Sequence, residues 1–260
     1  MKILFIGDVV GSPGRDAVRS LLPKMKKEYE IDFVIANAEN SAGGTGITPR
    51  VANDLFNSGC DVLTSGDHIW RRSEVLEIIN SNEKLLRPFN LPSSSPGRGF
   101  HIYKTEKNIN IAVTCLLGRV FIETQAESPF IAIRDLVSKL KKETKIIILD
   151  FHAEATSEKV AMGWFLDGEV SCVLGTHTHV QTADEKILPK GSAYITDVGM
   201  TGPFDSVIGR KKEKIIERFV TGMPIRFELG TEDVRLQGAL VDIDEETGKS
   251  RSIKRINEKL

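Results

Sequence analysis

Four of the five histidines in this 260-residue chain follow directly on apolar runs: His68 in TSGDHIW, His152 in IIILDFHAE, and His177 with His179 in VLGTHTHV. Acidic and amide residues share that position. Asp8 follows KILFIG, Glu39 and Asn40 follow FVIANA, and Asp67 stands beside His68. Taken singly, each has a structural reading: a helix cap for Asp8, loop residues for Glu39-Asn40, a packed imidazole for His68. Taken together they are a set of imidazole and carboxylate donors without thiolate. That set suits Mn, Fe, Zn or Ni better than Cu(I) or a structural zinc site. The pair His177-x-His179 is the most specific signal. In an extended segment residues i and i+2 point the same way, so both rings are expected to face one ion or two adjacent ones.

The donor count points to two ions. Asp8, Glu39, Asp67, His152, His177 and His179 are too many for one open tetrahedral site. They fit two divalent ions about 3.5–4 Å apart, bridged by a carboxylate and a hydroxide, an arrangement that polarises a phosphoryl oxygen and steadies attacking and leaving oxygens.

The elements that must position these residues are legible as apolar runs separated by helical patterns. KILFIGD, DFVIANAEN and CDVLTSGDH read as strands. RDAVRSLLPKMKKEYE and TPRVANDLFNSG read as the helices between them, the second with Thr48 as N-cap, Pro49 at its first position and Gly59 past its end. This βαβαβ order predicts a parallel sheet. GFHIYKT and INIAVTCLLG read as a hairpin, PFIAIRDLVSKLKKET as a helix, KIIILDFHAE as a strand, SEKVAMGWFLDG as a helix ending at Gly168, and EVSCVLGTHTH as a strand. The C-terminal third, MPIRFELG and DVRLQGALVDIDEETGKSRSIKRI, alternates apolar and polar residues and predicts antiparallel strands. Ligand sites in open α/β sheets form beyond the carboxyl ends of the strands. Five strand ends are therefore expected to deliver the donors to one edge of one sheet.

Composition is that of an ordinary soluble globular protein, with 40% hydrophobic and 27% charged residues, which excludes a disordered chain. A net charge of −1, with no basic stripe interleaved with aromatics, argues against binding long nucleic acid. Cys60, Cys115 and Cys172 sit in apolar runs without a CxxC and read as buried thiols in a reducing compartment. The N-terminal apolar run is too short for a leader, and no run approaches the ~18 residues of a spanning helix. A cytoplasmic location without membrane association is expected. No boundary divides the chain, so residues 1–260 read as a single domain.

GDVVGSPGR (7–15), NAENSAGGTGIT (37–48), SGDHIW (65–70), LLGRVF (116–121), DFHAEATSEK (150–159), GTHTHVQTADEKILP (175–189) and YITDVGMTGPFDSVIG (194–209) resemble the YmdB-like family, a branch of the calcineurin-like metallophosphoesterases. The resemblance implies a four-layer α/β/β/α sandwich. It also implies a dinuclear metal site, iron or manganese first, with zinc, nickel or magnesium admissible. The implied activity is phosphodiester hydrolysis on 2′,3′-cyclic nucleotides and, in some members, 3′,5′-cyclic AMP. By the family pattern Glu39 bridges the ions, Asp8 and His179 complete one, and Asp67, His152 and His177 complete the other. Asn40 lies beside the first ion as ligand or phosphate contact, and His68 is the general acid for the leaving oxygen. An imidazole suits that role near neutral pH. Arg119 is a candidate phosphate contact, because guanidinium pairs well with phosphate, and equally suits a structural ion pair.

Two departures stand out. The wider superfamily begins Asp-x-His, whereas this strand ends Asp8-Val9-Val10, as is normal for the YmdB-like branch. The family's Gly-Asn-His is here Gly66-Asp67-His68, and the extra charge should tighten metal binding and weaken Lewis acidity. Alternatives to the cyclic-nucleotide reading are a phosphomonoesterase, an RNA-processing phosphodiesterase, and a slow nucleotide-binding regulator acting through a partner. Homo-oligomerisation is compatible with the sequence.

Overall fold

The computed structural model describes residues 1–260 and contains two β-sheets with helices between their strands. The chain first builds β1 (Lys2–Ile6), β2 (Asp8–Val9), α1 (Gly11–Glu28), β3 (Phe33–Asn37), α2 (Pro49–Asn57) and β4 (Val62–Thr64). It then builds a second sheet from β5 (Phe100–Lys104), β6 (Asn110–Leu117), β7 (Ile146–His152), β8 (Cys172–Thr176), β9 (Lys186–Ile187) and β10 (Ala193–Ile195). In that sheet α3 (Pro129–Leu140) and α4 (Thr156–Phe165) connect β6 to β7 and β7 to β8. The chain returns to the first sheet with β11 (Met200–Pro203), β12 (Val234–Ile243) and β13 (Ser250–Lys259), with α5 (Lys212–Thr221) between β11 and β12.

The parallel pairs β1–β3 and β3–β4 match the expected βαβαβ unit, and β6, β7 and β8 form a second parallel set. The β5–β6 hairpin and the β12–β13 pair are antiparallel, as their alternation predicts. Side chains alternate across each strand. In β1, Ile3 and Phe5 join a cluster with Val113, Ile148 and Leu174 of the second sheet. Leu4 and Ile6 instead pack with Val18 and Leu22 of α1 and Leu55 of α2. A third cluster sets Ile133 and Leu136 of α3 and Met162 of α4 against Ile147, Leu149 and Phe151 of β7. Cys60, Cys115 and Cys172 are free and buried within these clusters. No helix is long and apolar enough to cross a membrane.

Local signals explain the element ends. The Thr48 hydroxyl accepts from the Val51 N–H with Pro49 opening α2, and Gly59 takes a left-handed φ of 108° just beyond its end.

Two expectations need correction. MPIRFELG forms no strand: half of its residues are exposed, and it offers only an isolated bridge at Leu229. The amphipathic segment before it, not foreseen, is α5, closed by Gly222 in the left-handed conformation. In addition, α4 stops at Phe165, three residues short of Gly168.

Candidate metal centre and cleft

The strand ends that carry the donors belong to both sheets rather than to one. Asp8 opens β2, Glu39 and Asn40 follow β3, and Asp67 and His68 follow β4 in the first sheet. His152 ends β7, and His177 and His179 follow β8, in the second. A buried network joins the sheets behind them. Asp150 on β7 accepts from Asn37 Nδ2 on β3 (3.0 Å), from Thr64 Oγ1 on β4 (2.5 Å) and from Thr176 Oγ1 on β8 (2.7 Å).

Glu39, Asp67, His152 and His177 bring one donor atom each within 4.8 Å of one another. His152 Nε2 lies 3.2 Å from Glu39 Oε2 and 3.3 Å from Asp67 Oδ1. The second carboxylate oxygen, Glu39 Oε1, accepts from Asn40 Nδ2 at 3.0 Å. Asn40 Nδ2 also reaches His179 Nε2 (3.1 Å), which is 3.8 Å from Asp8 Oδ1. Glu39 thus sits between a tight four-residue group and a looser trio of Asp8, Asn40 and His179. Gly66 keeps that space clear, since a Cβ there would fall 2.2 Å from Glu39 Oε2 and from the His152 ring.

Hydrogen bonds on the far side of each ring fix which nitrogen faces the cluster. Thr176 Oγ1 gives its proton to Asp150, so it accepts from His152 Nδ1 at 2.8 Å, leaving His152 Nε2 toward the carboxylates. His179 Nδ1 donates to the Ile208 carbonyl, leaving Nε2 toward Asp8. His177 Nε2 pairs with Glu154 Oε2 at 3.1 Å, leaving Nδ1 3.0 Å from His152 Nε2. Because the Asn40 amide nitrogen donates to Glu39, its oxygen accepts from His68 Nδ1 at 2.8 Å.

The electrostatics are those of a cation site. Burial pushes the Asp8 carboxyl well above its usual range, and its Oδ1 has no hydrogen-bond partner. Asp67 Oδ1 is buried too and faces His152 Nε2 at 3.3 Å. Burial opposes ionisation of Glu39 and Asp67, but the charge and hydrogen bonds of His152 outweigh it and hold both low. His152 is itself raised against its own burial by Glu39 and Asp67, so the free protein places a proton where the carboxylates converge. His177 is lowered to about 4, first by burial and then by the His152 charge, which keeps its Nδ1 lone pair available. A buried Asp8 oxygen without a donor, two carboxylates converging on His152 Nε2 and a bare His177 Nδ1 fit a metal ion, which would take the place of the His152 proton.

The segment carrying His177 and His179 is not extended, contrary to expectation. Both residues adopt left-handed φ angles, 97° and 64°, a strained conformation for residues with a Cβ. The turn directs His177 to the four-residue group and His179 to the Asp8 side. It is held from behind by a buried ion pair. Lys159 Nζ binds the Thr176 carbonyl and Asp197 Oδ2, both at 2.7 Å, and Asp197 Oδ2 also accepts from Thr178 N and Oγ1.

Glu39, Asn40, His68, His177 and His179 line a cleft of about 690 Å³. Arg210 and Arg218 also line it, and neither pairs with a carboxylate; Arg210 donates to the Gly44 carbonyl. Arg119 is exposed and does not line this cleft, and its backbone N–H donates to Glu158. Asp150, Glu154, Thr176, Lys159 and Asp197 were not singled out from sequence. The signal for two of them was adjacency, since Asp150 and Glu154 flank His152 in DFHAE.

Fold and site together define a two-sheet α/β protein with a metal-binding cluster of carboxylates and histidines at its strand ends. The chain belongs to the family described as YmdB-like protein, which it matches over residues 4–256. It is 48% identical to the 2′,3′-cyclic-nucleotide 2′-phosphodiesterase of Bacillus subtilis (strain 168), over 98% of this chain and 96% of that one. The crystal structure of a novel phosphatase from Mycoplasma pneumoniae superposes with a TM-score of 0.93 at 38% identity, covering 100% of this chain and 93% of the other. A hypothetical protein from Thermus thermophilus gives the same TM-score and identity, covering 100% and 99%.

Proposed function

We propose that the protein is a metal-dependent phosphodiesterase that opens 2′,3′-cyclic nucleotides at the 2′ ester, with 3′,5′-cyclic AMP as a secondary substrate. The observation that carries this reading is the convergence of Glu39, Asp67, His152 and His177 on one point, beside Asp8 and His179 and open to a cleft. The full-length identity to the Bacillus subtilis enzyme supports the substrate class. In this reading Glu39 would be shared by two divalent ions, iron or manganese. Asp8 and His179 would hold one ion with Asn40 beside it, and Asp67, His152 and His177 would hold the other. Such ions would polarise a phosphoryl oxygen and acidify water.

The chain's own residues supply the rest. Asn40 fixes the His68 ring through Nδ1, which leaves Nε2 for proton transfer. As water adds at phosphorus and the bond to the 2′ oxygen breaks, His68 in its imidazolium form would hand the Nε2 proton to that oxygen and be reprotonated by the proton the water gives up, leaving a 3′-monophosphate. Arg119 is a candidate phosphate contact that does not line the cleft. The three apolar clusters support the four-layer α/β/β/α sandwich as a single domain. A soluble, cytoplasmic enzyme fits the buried free thiols.

Product analysis tests the reading. Metal-loaded protein should convert 2′,3′-cyclic AMP to adenosine 3′-monophosphate, and His68→Ala should slow this by about 10²–10⁴-fold, the range of general acid–base catalysis. Exclusive turnover of phosphomonoesters would assign the site to phosphatase chemistry instead.

A further inference from the structure

Part of the cleft lining is remote in sequence from the metal cluster and of a different chemistry. Ile215, Arg218 and Phe219 of α5, three and four residues apart, share one helix face and line the cleft with Phe227. The Arg218 guanidinium lies 4.9 Å from the centre of the Phe227 ring. Phe219 is 84% exposed, so its ring is largely free of packing within the chain. No carboxylate of α5 lines the cleft: Glu213 and Glu217 are elsewhere on the helix. At about 690 Å³ the cleft has the size of a site for a whole small molecule, about 300–1,000 Å³, and is far larger than a phosphate alone needs.

We propose that Phe219 is the stacking platform for the nucleobase of a cyclic nucleotide whose phosphate lies at the metal cluster, an assignment that rests on the phosphodiesterase reading above. An aromatic ring with free faces, carried on a helix over a cleft that ends in metal ligands, suits a ligand that is flat and apolar at one end and anionic at the other. Stacking on a lone ring tolerates every base, because each has a π-face. The enzyme therefore accepts all four 2′,3′-cyclic nucleotides, with purines ahead of pyrimidines through greater overlap.

The test compares a nucleotide with its base-free counterpart on wild type, Phe219→Ala and Phe219→Trp. Calorimetry of metal-loaded protein with adenosine 3′-monophosphate should show binding weakened about 5- to 150-fold in Phe219→Ala, the span that base–aromatic stacking gives, and restored in Phe219→Trp. Ribose 3-phosphate should bind wild type and Phe219→Ala alike, and the loss on 2′,3′-cyclic AMP should fall on KM rather than kcat. Equal losses for both ligands, or none for either, overturn the proposal, the latter leaving Phe219 to contacts between copies of the chain. Wild type that binds adenosine 3′-monophosphate no better than ribose 3-phosphate also overturns it, whatever the activity. Wild type that stacks the base yet hydrolyses no cyclic nucleotide would sustain the stacking role and sink the phosphodiesterase reading.

Discussion

Asp67 and Asp8 show how the site's charge is divided between function and stability. Asp67 supplies a full negative charge where the resemblance implies an amide, and its Oδ1 lies buried 3.3 Å from His152 Nε2. Asp67→Asn should raise the Kd for Mn²⁺ about tenfold, with kcat at saturating metal unchanged or higher, because one fewer charge leaves the metal a stronger Lewis acid. Calorimetric titration beside steady-state kinetics checks both halves, and a lower Kd in the variant would contradict the assignment. Asp8 is the costlier residue, since burial first, and then the negative charges of Glu39 and Asp197, drive its carboxyl upward. Asp8→Asn should stabilise the metal-free protein by about 1–3 kcal/mol, the relief of one uncompensated buried group. The same change should remove part of the stabilisation that added metal gives, which urea denaturation with and without Mn²⁺ measures. At this scale the converging donors were legible because histidine is scarce and four of five fell after strands. Their supports were not. Thr176, Asp150 and Glu154 are residue types that occur everywhere, and only the fold brings their atoms within 2.7–3.1 Å of their partners.

The element on which the site turns is the left-handed segment between His177 and His179, clamped by Lys159 and Asp197. Two charges lie in the interior at 1% and 0% side-chain exposure, and they make up one unit with the turn's backbone. Lys159→Met leaves the Asp197 carboxylate buried and unpaired, and should destabilise the fold by about 3–5 kcal/mol in chemical denaturation. A loss below about 1 kcal/mol, the scale of an exposed pair, would show that the turn does not depend on the clamp. Sequence pattern could not announce this turn, because THTH after an apolar strand reads as continuing extended backbone. The C-terminal misreading has a related cause. Met223, Ile225, Phe227 and Leu229 alternate as a strand would, but no partner strand offers them a ladder beyond a single bridge at Leu229, and Phe227 instead lines the cleft.

Across the whole molecule, the order of strands and helices was readable from periodicity, whereas their division into two sheets was not. Buried parallel strands such as FVIAN and IIILDFH look alike in sequence whichever sheet they join, so the donors were assigned to one sheet edge when they come from two. The buried thiols give the fold as a whole a signature. Burial pushes Cys60 up to about 12 from a usual 9.0, and Cys115 and Cys172 rise too. A group whose pKa rises on folding contributes fully below its unfolded value and loses that contribution as pH climbs toward the folded one. Stability should therefore be unaffected by these thiols below pH 9 and fall between pH 9 and about 12. Ellman's reagent at pH 8 should find no reactive thiol until the chain unfolds. A metal centre bridged by Glu39 that opens cyclic phosphodiesters is tested most directly by one assay: wild type and Glu39→Gln, each stripped and reloaded with Mn²⁺, with metal content and turnover of 2′,3′-cyclic AMP measured on the same samples. Two ions per chain and formation of adenosine 3′-monophosphate are expected in wild type, with loss of metal and of activity together in the variant. Full metal content with no hydrolysis in wild type, or unchanged hydrolysis in Glu39→Gln, would contradict it.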